Sequence, residues 1–81
     1  MAEKQIYNAG YRDLVARLTA TRKRLRMTQE QVAGHLGVGR SWVSKVETCE
    51  LALDLLYLVK LCRVYGLRAR GMIELMGKGV Q

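Results

Sequence analysis

Apolar residues return at helical spacing in several separate stretches of the chain. Tyr11, Leu14, Val15, Leu18 and Leu25 fall on one stripe, continued by Thr21 and Arg22, which predicts a first helix over about 11–25. Asn8 stands where it can cap that helix. Val32, Ala33 and Leu36 repeat the spacing and predict a second helix over 29–36. Thr28 is its N-cap, and Gln31 completes a capping box three residues on. Gly37 suits the left-handed backbone that ends a short helix. Val43 and Val46 form one face of a third helix over 40–47, while Arg40, Ser41, Ser44 and Lys45 occupy the other. Two short helices joined by a tight glycine-containing turn make a helix-turn-helix, whose second helix is the candidate for insertion into a DNA major groove.

Helices this short do not stand alone, so flanking elements must bury their apolar faces. A fourth helix over about 53–65 supplies Leu53, Leu56, Leu58, Leu61, Cys62 and Tyr65, with Leu67 beyond and Gly66 as its C-cap. Leu55, Val59 and Val64 are surplus, and the charged positions are Asp54, Lys60 and Arg63. A helix apolar on nearly every side is buried by several neighbours or meets a partner. A short fifth helix over about 70–76 covers some of it with Met72, Ile73, Leu75 and Met76. The remainder predicts a homodimer surface at Leu55, Val59, Val64, Met72 and Met76. The expected architecture is all-α: a polar arm over 1–10, a compact four- or five-helix domain over 11–77, and a frayed tail over 78–81.

Composition narrows the functional classes. The 81 residues carry a formal charge of +7 and no proline, which favours uninterrupted helices and an anionic partner. Charge alone fits DNA, RNA, a membrane surface or simple solubility equally well. Four cations, Arg22, Lys23, Arg24 and Arg26, crowd the end of the first helix. They complement the helix dipole there, or reach phosphate. No signal segment is expected in residues 1–10, and the apolar stretch 51–59 is too short to span a bilayer. A cytoplasmic protein without a membrane partner is therefore expected. Cys49 and Cys62 read as free thiols in a reducing compartment. His35 has no ligand partner close in sequence, so no metal or cofactor is expected. Isolated carboxylates, one histidine and separated thiols make no catalytic arrangement, and the chain reads as a non-enzyme.

The motifs Arg22, Thr28-Gln29-Glu30-x-Val32-Ala33-x-x-Leu36-Gly37-Val38 and Arg40-Ser41-x-Val43-Ser44-Lys45-x-Glu47 stand in one order and separation. Leu58-x-x-Leu61-Cys62-x-x-Tyr65-Gly66-Leu67 follows them. Over about residues 11–77 the chain resembles the lambda-repressor-like DNA-binding domains, the Cro/C1-type or XRE-type helix-turn-helix proteins. The resemblance implies that Gln29 contacts phosphate and braces the next helix. Arg40, Ser41 and Lys45 would address base edges or phosphate, Arg40 being able to hold guanine bidentately. Ser44 would bond phosphate or stay solvated. Two placements are open to Trp42: against the sugar-phosphate backbone or base edges, or packed over the junction of the first and third helices. Arg22 and Glu47 would form an ion pair between those two helices, and Arg24 and Arg26 would join the DNA-facing set.

Related domains carry glycine and a basic residue shortly after the third-helix glutamate, where this chain has Cys49, Glu50 and Leu51. Arg26 likewise occupies a turn position often filled by glycine. The function implied is a sequence-specific, double-stranded-DNA-binding transcriptional regulator, a repressor that binds a palindromic operator as a dimer. The rival is a helix-turn-helix-derived protein-interaction module, an antitoxin-like adaptor with weak or no DNA binding and a protein partner. The apolar fourth helix and the uncharged-to-acidic segment 48–52 favour the rival.

Overall fold

A computed structural model describes residues 8–78, which form α1 (Ala9–Arg24), α2 (Gln29–Leu36), α3 (Arg40–Glu47), α4 (Leu55–Tyr65) and α5 (Ala69–Lys78). The architecture is all-α, and no strand occurs among the described residues. The proposed arm over 1–7 and the last tail residues, 79–81, lie outside them. Three N-termini are closed by side chains. Asn8 accepts from the Tyr11 amide at 2.9 Å, which starts α1 two residues earlier than its apolar stripe suggests. Thr28 and Gln31 form both bonds of the capping box, at 3.0 and 2.8 Å. Asp54 accepts from the Tyr57 amide at 2.8 Å and so begins α4 at Leu55, leaving Leu53 in the connection.

The C-termini of α1 to α4 share one device. An amide two or three residues past the helix end returns to a carbonyl five positions back: Met27 to Arg22, Val38 to Ala33, Glu50 to Lys45 and Leu67 to Cys62. Such a closure places one residue in the left-handed region, where glycine carries no steric penalty. Gly37 and Gly66 hold that position after α2 and α4, at φ of 72° and 73°. Arg26 and Cys49 hold it after α1 and α3, at φ of 59° and 63°. These are the two positions where the resemblance leads to an expectation of glycine, and the left-handed backbone found there is one that glycine adopts without penalty.

The core is built from Leu14, Val15 and Leu18 of α1, Val32, Ala33 and Leu36 of α2, Val43 of α3, and Leu58, Leu61, Cys62 and Tyr65 of α4. α2 packs on α3 and α4, while α1 touches α3, α4 and α5. Gly10 permits the α1–α5 crossing, because a Cβ there would collide with the Met76 carbonyl. Two expected core positions are outside: Leu25, 44% exposed after the end of α1, and Leu56, 59% exposed on α4. Tyr11 joins α1 to the segment before α4 by accepting from the Leu53 amide at 3.0 Å.

Candidate nucleic-acid interface

Burial of Val43 and Val46, each 2% exposed, fixes how α3 is rolled against the body. The same roll turns Arg40, Ser41 and Lys45 to solvent and leaves Ser44 half-buried at the edge. No described residue supplies a hydrogen-bond or ion-pair partner for the Arg40, Ser41 or Lys45 side chain. Gly39, in extended backbone, precedes the helix without a side-chain cap, so the first α3 amides are not closed by a side chain. Arg40 and Ser41 at the start of α3 and Lys45 in its last turn present guanidinium, hydroxyl and ammonium groups equipped to donate to phosphate and base-edge acceptors.

The far end of α3 is held by a charged cluster. Arg22 Nε donates to Glu47 Oε2 at 2.7 Å and Arg22 Nη2 to Glu47 Oε1 at 3.0 Å. Arg22 Nη1 donates to the Met27 carbonyl at 2.8 Å, so one guanidinium ties α1, the α1–α2 turn and α3 together. Gln29 Nε2 adds a bond to Glu47 Oε1 at 2.8 Å. Glu47 closes α3 with a negative charge at the dipole's negative end, an unfavourable position that the guanidinium offsets. The bond to Glu47 raises the Arg22 pKa further above its ordinary value. Gln29 therefore braces α3 with its amide nitrogen and stands half-buried at the start of α2.

Trp42 is half-buried. Its ring meets Tyr57 of α4 with centroids 5.0 Å apart and planes tilted by 51°. It also bounds a small void with Val15, Leu18 and Thr19 of α1. Lys60 places its ammonium 4.8 Å from the Tyr57 ring centroid. Arg24 and Arg26 are exposed around the end of α1. The connection after α3 bears no cation: Glu50 accepts from the Thr48 hydroxyl at 2.7 Å, and Asp54 caps α4.

A second surface lies away from α3. Tyr11, Leu14, Leu53, Leu55, Leu58, Ile73 and Met76 line an apolar groove of about 300 Å³. Leu55 is 65% exposed beside it. Of the residues expected at a dimer surface, Val59, Val64 and Met76 are half-buried. Met72 must be removed from that set: it is 6% exposed and packs inward as part of the core, because α5 turns this face to α1. Leu56 and Ile73 are the exposed apolar residues that the sequence had assigned to covering roles.

The remaining titration shifts belong to packing. Burial pushes the Tyr65 hydroxyl up to about 12, helped by the nearby Glu47 charge and opposed by Arg22. Burial also raises Tyr11 and the Cys62 thiol. Among the described residues no group of His, Cys, Asp and Glu could hold a metal ion. No described helix is long and apolar enough to cross a membrane.

Tyr57, Lys60 and Gly10 are the structural contributors that sequence reading passed over. Tyr57 and Lys60 stand three apart on α4, a spacing that signals proximity on a helix, but the pairing of Tyr57 with Trp42 is tertiary and has no local signature.

The helix-turn-helix domain family matches the chain over residues 13–75. The chain belongs to this family, which is related to the XRE/Cro-C1 type and points to a DNA-binding regulatory role. A comparison with curated proteins found no match.

Proposed function

We propose that the chain is a sequence-specific, double-stranded-DNA-binding transcriptional regulator in the cytoplasm, a repressor that docks on a palindromic operator as a homodimer. One observation carries this reading. Among the described residues the polar face of α3 has no partner, while its apolar face and its C-terminal end are held firmly. Arg40, Ser41 and Lys45 would read the major groove, with Ser44 at its edge. Arg24, Arg26 and the amides at the start of α2 beside Gln29 would meet phosphate. Trp42 would touch the strand backbone with the part of its ring that Tyr57 leaves uncovered. The second copy is taken up through the groove between α1, α4 and α5. Its apolar lining includes the protruding Leu55 and Ile73, which gives the groove the apolar surface that a self-complementary two-fold contact uses. Two subunits would then present their α3 helices to successive major grooves about one helical turn apart.

The test is binding of the chain to a random-sequence duplex across a salt series. Affinity that falls steeply with salt supports the reading, because phosphate contacts release counterions. A second reading, a protein-binding adaptor of antitoxin-like kind, is favoured by the exposure of Leu55 and Leu56 and by the acidic α3–α4 connection. Absence of duplex binding even at low salt would select it.

A further inference from the structure

The α3–α4 connection raises an electrostatic difficulty for a helix lying in a DNA groove. An α-helix with its side chains is about 10–12 Å across. The major groove is about 12 Å wide, so the flanks of an inserted helix lie against the phosphate walls. On the α4 side of α3, the connection offers Glu50 and Asp54 and no cation. Both carboxylates are engaged locally, Glu50 by the Thr48 hydroxyl and Asp54 by the Tyr57 amide, which fixes negative charge near that wall.

The aromatic pair on this flank brings a cation to it. Trp42 stands three residues before Lys45 on α3, so its ring leaves the helix beside an exposed DNA-facing cation. Tyr57 lies against Trp42, and the Lys60 ammonium lies over Tyr57. Attraction to the ring quadrupole restrains an otherwise mobile, exposed side chain at that spot. Arg63, exposed one turn further along α4, adds to the local positive potential. A pre-positioned ammonium loses less freedom on meeting an anion than a free one does.

We infer that Lys60 is a phosphate-binding residue, carried to the flank of α3 by the Trp42–Tyr57 platform. The inference rests on the DNA reading above and extends it to α4, where neither the helix-turn-helix pattern nor the basic end of α1 reaches. Lys60 supplies the positive charge that the connection after α3 lacks.

The test uses the full chain, a labelled random-sequence duplex and fluorescence anisotropy over a range of salt concentrations. Each phosphate neutralised on duplex DNA contributes about 0.9 to the magnitude of the slope of log K against log salt. Lys60→Gln is expected to reduce the slope by roughly one such contact. Lys60→Arg should restore it, and Arg70→Gln, on the exposed side of α5, should leave it unchanged. Thermal melts of all three should stay close to the wild type, since these side chains are exposed and their contacts with Tyr57 and Glu74 are surface ones. A wild-type slope retained in Lys60→Gln would overturn the inference, as would equal losses in Lys60→Gln and Arg70→Gln. A wild-type chain with no salt-dependent binding at all would overturn the DNA reading first and this inference with it.

Discussion

Arg22 and Glu47 lie 25 positions apart and meet through two hydrogen bonds, of 2.7 and 3.0 Å. Their side chains are only 11% and 12% exposed, so the pair is largely withdrawn from solvent at the point where α1, α2 and α3 converge. Glu47→Ala would leave the guanidinium facing Met27 and Gln29 without its carboxylate. Removing one partner of a well-buried pair costs about 3–5 kcal/mol, and residual solvent access here places the expected loss nearer 2–3 kcal/mol. For a domain of this size that lowers Tm by roughly 10 °C or more. DNA affinity measured well below the melting range should fall as well, because α3 loses its anchor. A melt unchanged from the wild type would remove the pair from this role.

The left-handed residues give opposite expectations at two equivalent places. Arg26 is exposed, so Arg26→Gly relieves backbone strain and empties no space; it should add about 0.5–1 kcal/mol, with some loss of DNA affinity from the missing charge. Cys49 is 4% exposed, so Cys49→Gly relieves similar strain but removes a packed thiol, and its net gain should be smaller or negative. Denaturant melts of the two variants side by side would check this. If Arg26→Gly proves the more damaging, the strain argument is wrong.

These two residues also mark how far the chain could be read in advance. α2 has local punctuation at both ends, Thr28 with Gln31 and then Gly37, and α3 has it at its start, Gly39, so those limits follow from it. The same resemblance that placed glycine at 26 and 49 carried no information on how an arginine and a cysteine would adopt that backbone. α4 defeated periodicity differently. With leucine or valine on every face, spacing could not choose between Leu56, which is exposed, and Leu58, which is buried. That choice belongs to the neighbours, as does the inward turn of Met72 toward α1. The outward polar face of α3 was readable because Val43 and Val46 anchor it three apart. The packing of Trp42 on Tyr57 required the folded chain.

Gly10 should tolerate no side chain. Gly10→Ala would press its Cβ on the Met76 carbonyl, and neither backbone can yield without separating α5 from α1. Overpacking of this kind costs about 1–3 kcal/mol. Hydrogen exchange should show the α5 amides losing protection more than those of α2 and α3. Undiminished protection of α5 would show that the crossing is not close.

Alkaline stability should depend on Tyr65. Its folded pKa, about 12, lies above the value near 10 expected for an unfolded chain. The folded state therefore holds this proton more tightly. The stabilisation is complete below about pH 10 and is lost as pH rises toward 12. Tyr65→Phe removes the titrating group, so its stability should decline less over that interval. A decline as steep as the wild type's would assign the alkaline transition to other groups.

The central claim is that the outward face of α3 selects a DNA sequence. Enrichment of bound duplexes from a random library, run in parallel for the wild type and an Arg40→Ala/Ser41→Ala/Lys45→Ala variant, addresses it most directly. The account predicts a reproducible inverted repeat for the wild type, bound by two subunits. It predicts loss or change of that motif in a variant whose melt is unaltered, since all three side chains are exposed and have no partner among the described residues. Recovery of the same motif by the variant, or of none by the wild type, would contradict it.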